Sequence, residues 1–171
     1  MRKLIYLAVV VIVLLLSSIP VSMYLSQDPL KEFSGPSYIP HGYQVGGNNT
    51  TKNSTFVLYQ NGTDINLFVV GATEDPDKKF FKSIKSSFSN NTTQSANLIL
   101  VKETLIVDGH PVELHREEIN VNGTLIDFFE TKWYCDKSKL TITATGIVPA
   151  LEMEEMRKML KSIKCHEDSF F

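Results

Sequence analysis

The sequence predicts an α+β domain behind an N-terminal transmembrane helix, with an antiparallel sheet of about six strands and two helices packed against it. Three observations carry this. A nearly unbroken apolar run, residues 4–25, follows Met1-Arg2-Lys3. Apolar and polar residues alternate with period two through most of residues 56–147, as strands require. Two stretches with helical periodicity, around residues 76–88 and 151–164, break and then close that pattern.

The apolar run holds 22 residues, which as a helix reaches about 33 Å, enough for a hydrocarbon core of about 30 Å. Arg2 and Lys3 flank its start and Ser26-Gln27-Asp28-Pro29 its end, so the positive-inside bias keeps the short end in the cytoplasm and sends the body outside. The alternative is a secreted chain whose signal peptide is cleaved. Such a peptide has a shorter apolar core and a small-x-small cleavage site, and Ser17, Ser18 and Ser22 do not make a clean pair. The chain thus divides into a signal anchor over 1–25, a polar linker over 26–55 and an extracytoplasmic α+β domain over 56–171. Without Arg2 and Lys3 the body has 15 basic and 19 acidic residues, a net charge of −4, which argues against nucleic acid or anionic lipid as a partner.

The linker carries Pro29, Pro36 and Pro40, then the polar run 46–55, with little to bury. Residues 38–45 are its apolar exception and are expected to dock as an extended segment. Asn61-Gly62 between two apolar stretches predicts a hairpin, because both central residues of a type I′ turn take positive φ. Asp75-Pro76 then reads as N-cap and first helical residue, with Phe80, Phe81, Ile84 and Phe88 forming one apolar stripe. Four further strands, 98–107, 111–119, 124–134 and 140–147, are joined by connections too short for a parallel return. The last helix sets Met156, Met159, Leu160 and Ile163 against a charged face, with acids first and bases last.

Cys135 and Cys165 are the only cysteines, and outside the cytoplasm a pair reads as a disulfide, the alternative being two buried thiols. Residues 165–168, Cys-His-Glu-Asp, are contiguous at the chain end, which is poor geometry for a closed metal site. His41, His110 and His115 stand at no motif spacing from an acid or nucleophile, and His110 and His115, five apart on one strand, face opposite sides. Glu113, Glu117, Glu118, Asp127 and Glu130 read as solvated halves of alternating strands. No catalytic motif, cofactor fingerprint or metal-ligand spacing is legible, so no enzymatic activity, cofactor or metal is expected. Phe128, Phe129, Trp133 and Tyr134 form the one aromatic cluster. It is either a binding surface or a central strand buried on both faces, and the near-continuous apolar run favours burial.

Seven of the ten asparagines, Asn48, Asn49, Asn53, Asn61, Asn90, Asn91 and Asn122, have Ser or Thr two residues on without an intervening Pro. They are glycosylation candidates and support an extracytoplasmic body, although Asn61-Gly62 and Asn122-Gly123 are also what hairpin turns prefer.

Pro40-His41-Gly42-Tyr43, Trp133 in a late strand and the helix ending Leu160-Lys161-Ser162-Ile163-Lys164 resemble the small secreted or anchored domains of the PsbP and Mog1 type. The sequons and single anchor resemble uncharacterised surface proteins of methanogenic archaea. The resemblance implies helices against an antiparallel sheet and no shared catalytic residues. The function expected is a membrane-anchored binding or structural domain, touching the membrane through its N-terminal helix and an envelope protein or polysaccharide through its body. The alternatives are a carrier of lipid or another apolar ligand in a sheet–helix cavity and, behind it, an enzyme whose site is assembled from distant residues.

Overall fold

The structure, a computed structural model, describes residues 30, 33, 35–62, 66–84 and 98–165. The predicted span 4–25, the sequons Asn90 and Asn91, and His166, Glu167 and Asp168 lie outside the described residues. Among the described residues no helix is long and apolar enough to cross a membrane.

Seven strands form one antiparallel sheet: β2 (Gln44–Thr50), β3 (Ser54–Asn61), β4 (Asn66–Glu74), β5 (Leu98–Val107), β6 (His110–Val121), β7 (Thr124–Cys135) and β8 (Leu140–Pro149), in the order β2-β3-β4-β8-β7-β6-β5. Two-residue β1 (Gly35–Pro36) pairs with β9 (Ile163–Lys164) as a separate clip. Helix α1 spans Lys79–Ser83. A 3₁₀ turn, Ala150–Glu152, leads into α2, Met153–Lys161. The antiparallel sheet and two helices agree with the expected α+β class.

The strand beyond the expected six is β2, which occupies residues assigned to the linker. All seven of its residues are exposed. An edge strand that contributes backbone pairing without burying side chains leaves no apolar alternation to read. The β3–β4 connection also differs from the tight turn expected at Asn61-Gly62. Asn61 itself pairs in the ladder, opposite Asn66, and is not a turn residue. The turns at Asp108-Gly109 and Asn122-Gly123 do take positive φ at both positions, +50° and +79°, then +54° and +86°. They close the pairs Val107 with His110 and Val121 with Thr124, as type I′ hairpins should.

Helix α1 is shorter than its stripe predicts. It begins at Lys79 because Lys78 turns left-handed (φ +57°), and after Ser83 Ile84 is extended. Asp75 still supplies the cap, from outside: its carboxylate accepts the Phe80 and Phe81 N–H groups at 3.1 and 2.8 Å and the Thr141 hydroxyl at 2.8 Å. Burial alone would raise the Asp75 pKa, but the hydrogen bonds from Phe81, Thr141 and Phe80 outweigh it and hold the group below the ordinary carboxylate value.

The core lies between α2 and one sheet face, the inner face. Strand alternation puts Phe68 and Val70 of β4, Ile142 and Ala144 of β8, Phe129 and Trp133 of β7, and Val112 and Leu114 of β6 on that face. Met153, Met156, Met159 and Leu160 come down from α2 and are fully buried, each worth about 1.5–3 kcal/mol in transfer energy. Phe129 lies over its partner Gly146, where a Cβ would come within 2.6 Å of the ring. Any side chain at 146 would displace that ring.

Candidate functional site

Residues two apart on a strand share a face, so Glu113, His115 and Glu117 of β6 project together from the outer face, opposite α2. The register places Lys102 of β5 opposite His115, His115 opposite Glu130 of β7, and Glu130 opposite Thr145 of β8. A polar row thus crosses four strands. Glu117 and its partner Phe128 form the row beside it. At one end α1 covers the face. Phe81 packs on the Tyr134 ring at 6.2 Å between centroids, and Lys78 Nζ sits 4.3 Å above that ring. The Lys132 ammonium donates to the Phe81 and Ile84 carbonyls, capping the helix end.

His115 Nε2 lies 3.1 Å from Glu113 Oε2. The histidine is largely covered, with 16% of its side chain exposed, while Glu113 is 74% exposed. The hydrogen bond from His115, then its charge, lowers the Glu113 pKa. Glu117 is shifted the other way, raised first by burial and then by the nearby Glu130 charge. Two carboxyls of opposite tendency beside an imidazole can accept hydrogen bonds from hydroxyls or exchange a proton. Sequence reading gave His115 no acid partner, although Glu113 and Glu117 stand at i−2 and i+2, the spacing that joins residues on one strand face.

The two histidines of β6 part company as alternation requires. His110 sits on the inner side at a corner where three segments meet. There Cys135, ending β7, is bonded to Cys165, just past β9. His110 Nε2 lies 3.5 Å from Cys165 Sγ. Asp108 of the β5–β6 turn accepts the Cys165 N–H at 2.9 Å and pairs with Lys164 at 3.0 Å.

One expectation about surface groups is corrected, and one alternative falls on the side the sequence favoured. Asp127 is not a solvated strand residue: it is fully buried on the inner face, where Arg116 reaches its Oδ2 at 2.6 Å. Burying a carboxylate requires such a partner. Among the described residues, Asp127 Oδ1 and Arg116 Nε have no hydrogen-bond partner. The aromatic cluster is not a contiguous exposed surface either. Phe129 and Trp133 belong to the core, Tyr134 is buried on the opposite face and Phe128 is half-buried. Strand β7 lies between β6 and β8, covered by α2 on one side and at its end by α1 on the other, so its near-continuous apolar run reflects two-sided burial.

Of the sequons described, Asn48 and Asn49 are exposed on edge strand β2 and Asn122 is exposed in the β6–β7 turn, while Asn53 and Asn61 are partly covered. No protein-family model matches the chain, and no curated protein matches it.

Proposed function

We propose that the protein is a membrane-anchored extracytoplasmic binding domain, and that it holds a hydroxyl-rich envelope polysaccharide on the outer sheet face. The observation that carries this reading is the row Lys102, His115, Glu130 and Thr145 with Glu113 and Glu117 beside it. At the spacing of neighbouring strands it extends about 14 Å. Such a line of donors and acceptors suits an extended polyhydroxyl chain. Lys102, Glu113 and Thr145 are exposed and approachable, and the half-buried Phe128 offers an apolar edge to a sugar ring. The carrier reading is less favoured because Phe68, Phe129, Leu114, Met156 and Met159 fill the space between sheet and helix.

The anchor rests on residues 4–25 with their flanking charges, and the outside location on the exposed sequons. Protease added to intact cells with a permeable wall should release the domain; a protected domain would reverse the topology. Binding is tested by running the protein through native gels cast with a neutral glucan or with an N-acetylhexosamine polymer. Retardation in one of them should fall at least about tenfold in apparent affinity when Glu117→Gln and Glu130→Gln are combined, the loss of roughly 1.4 kcal/mol or more expected for paired charged acceptors. Unchanged mobility in every gel would sink the reading. One observation favours hydrolysis instead, the raised Glu117 carboxyl beside Glu130, a combination that glycoside hydrolases use. Release of reducing ends during the same incubation would replace binding with that activity.

A further inference from the structure

We infer that Cys135, Cys165 and His110 form a second, independent site: a three-ligand seat for a thiophilic divalent cation, occupied when the disulfide is reduced. The two sulfurs and the His110 nitrogen lie within 4.8 Å of one another. A tetrahedral ion with bonds of about 2.3 Å to sulfur and 2.0 Å to nitrogen needs sulfur and nitrogen about 3.5 Å apart and two sulfurs about 3.8 Å apart. His110 Nε2 already stands 3.5 Å from Cys165 Sγ. Opening the disulfide therefore asks only the two sulfurs to separate, and with Cα atoms 6.2 Å apart that is a side-chain rotation.

The three ligands come from three segments that the fold holds for other reasons. His110 opens β6 after the tight Asp108-Gly109 turn, Cys135 ends β7, and Cys165 is fixed by its N–H bond to Asp108 and by the β1–β9 clip. The surroundings suit a cation. Asp108 places a carboxylate at the same corner, accepting the Cys165 N–H at 2.9 Å. Both sulfurs are buried, so the ion would be shielded on the protein side, with water completing four-coordination towards the partly exposed His110.

The chemistry balances with a dithiol or phosphine as reductant. Two electrons and two protons convert the S–S bond to two thiols. The cation then binds the two thiolates and the neutral imidazole, and both thiol protons leave to solvent. The same residues would be a covalent staple when oxidised and a metal clip when reduced.

The probe is Co²⁺ added anaerobically to the full-length chain in detergent micelles, before and after reduction with a phosphine. Reduced protein should take up one equivalent with a thiolate-to-cobalt charge-transfer band and the intense visible bands of tetrahedral cobalt, displaced by Zn²⁺. The oxidised protein should give neither. His110→Ala, which leaves the disulfide and its fold in place before reduction, should weaken Co²⁺ binding at least about tenfold and shift the visible bands. The inference is overturned by absence of the bands, by His110→Ala binding as tightly as the parent, or by loss of sheet circular dichroism on reduction that cobalt does not restore.

Discussion

Phe128 and Phe129 are neighbours in sequence and share a strand, yet Phe129 is 1% exposed beneath α2 while Phe128 is half-buried beside Glu117. The inner face is sealed by methionines and leucine from α2, and its fully buried carboxylate, Asp127, is met there by Arg116. The outer face carries His115, Glu117, Glu130 and Lys102 across the same strands. The difference teaches that strand alternation sorts residues onto two faces, but the element packed on each face decides what they mean. Inner-face groups bear stability. Outer-face polar groups carry less of it and, on the proposed reading, are left for recognition.

That asymmetry breaks most visibly where a charge or a ring is removed from the core. Asp127→Ala leaves the Arg116 guanidinium buried without its partner and should cost about 3–5 kcal/mol, whereas replacing both residues by Leu and Met should be nearly neutral. Phe129→Ala should also cost about 3–5 kcal/mol. Phe128→Ala, one residue away, should lose no more than about 2 kcal/mol for its partial burial. Urea denaturation of the four variants measures this, and equal losses for the two phenylalanines would erase the distinction between faces.

The corner staple comes next. Cys135→Ser or Cys165→Ser should lose about 2–5 kcal/mol, since the bond closes a loop between residues 30 apart and holds α2 over the inner face. A melting temperature unaffected by reductant would show that packing alone seats the helix.

A smaller effect is expected where α1 covers the outer face. Asp75→Ala removes the acceptor for Phe80, Phe81 and Thr141 and should cost about 1–2 kcal/mol at neutral pH. Because the native pKa of Asp75 is lowered, its stabilisation is full above the ordinary aspartate value and disappears as pH falls through the native one. The parent and Asp75→Ala stabilities should therefore converge in acid. A gap that stays constant with pH would mean that the carboxylate charge is not what the cap uses.

The smallest effect separates recognition from stability. Glu117 is raised by burial and by Glu130, so its native form holds a proton more tightly than the unfolded chain does. Stability from this residue is greatest below the ordinary glutamate value and is lost as pH rises through the native pKa. Glu117→Gln should thus gain a few tenths of a kcal/mol at neutral pH, on the order of ordinary surface changes, while weakening polysaccharide retention. A destabilised Glu117→Gln would place that residue among the structural groups.

Much of the architecture was legible because it is local. Positive φ at Asn122-Gly123 and Asp108-Gly109 needs no tertiary contact, and the stripe Met156, Met159, Leu160, Ile163 marks a buried helix face by spacing alone. The disulfide followed from two cysteines and an expected compartment. The extent of α1 and the presence of β2 were not legible. Ser83 ends one helix despite a stripe that continues to Phe88, and β2 joins the sheet through backbone groups that carry no side-chain pattern. The outer-face trio Glu113, His115 and Glu117 was available in the i, i+2 spacing once β6 was recognised as a strand. By itself, then, the sequence determined most of the elements, their antiparallel connection and the alternation of faces, since short loops and side-chain periodicity are properties of neighbouring residues. Only the tertiary structure decided which face α2 would cover, that Asp127 would meet Arg116, and that His110 would stand beside Cys165. Those outcomes depend on strand register and helix placement, which bring together residues 11 and 55 positions apart.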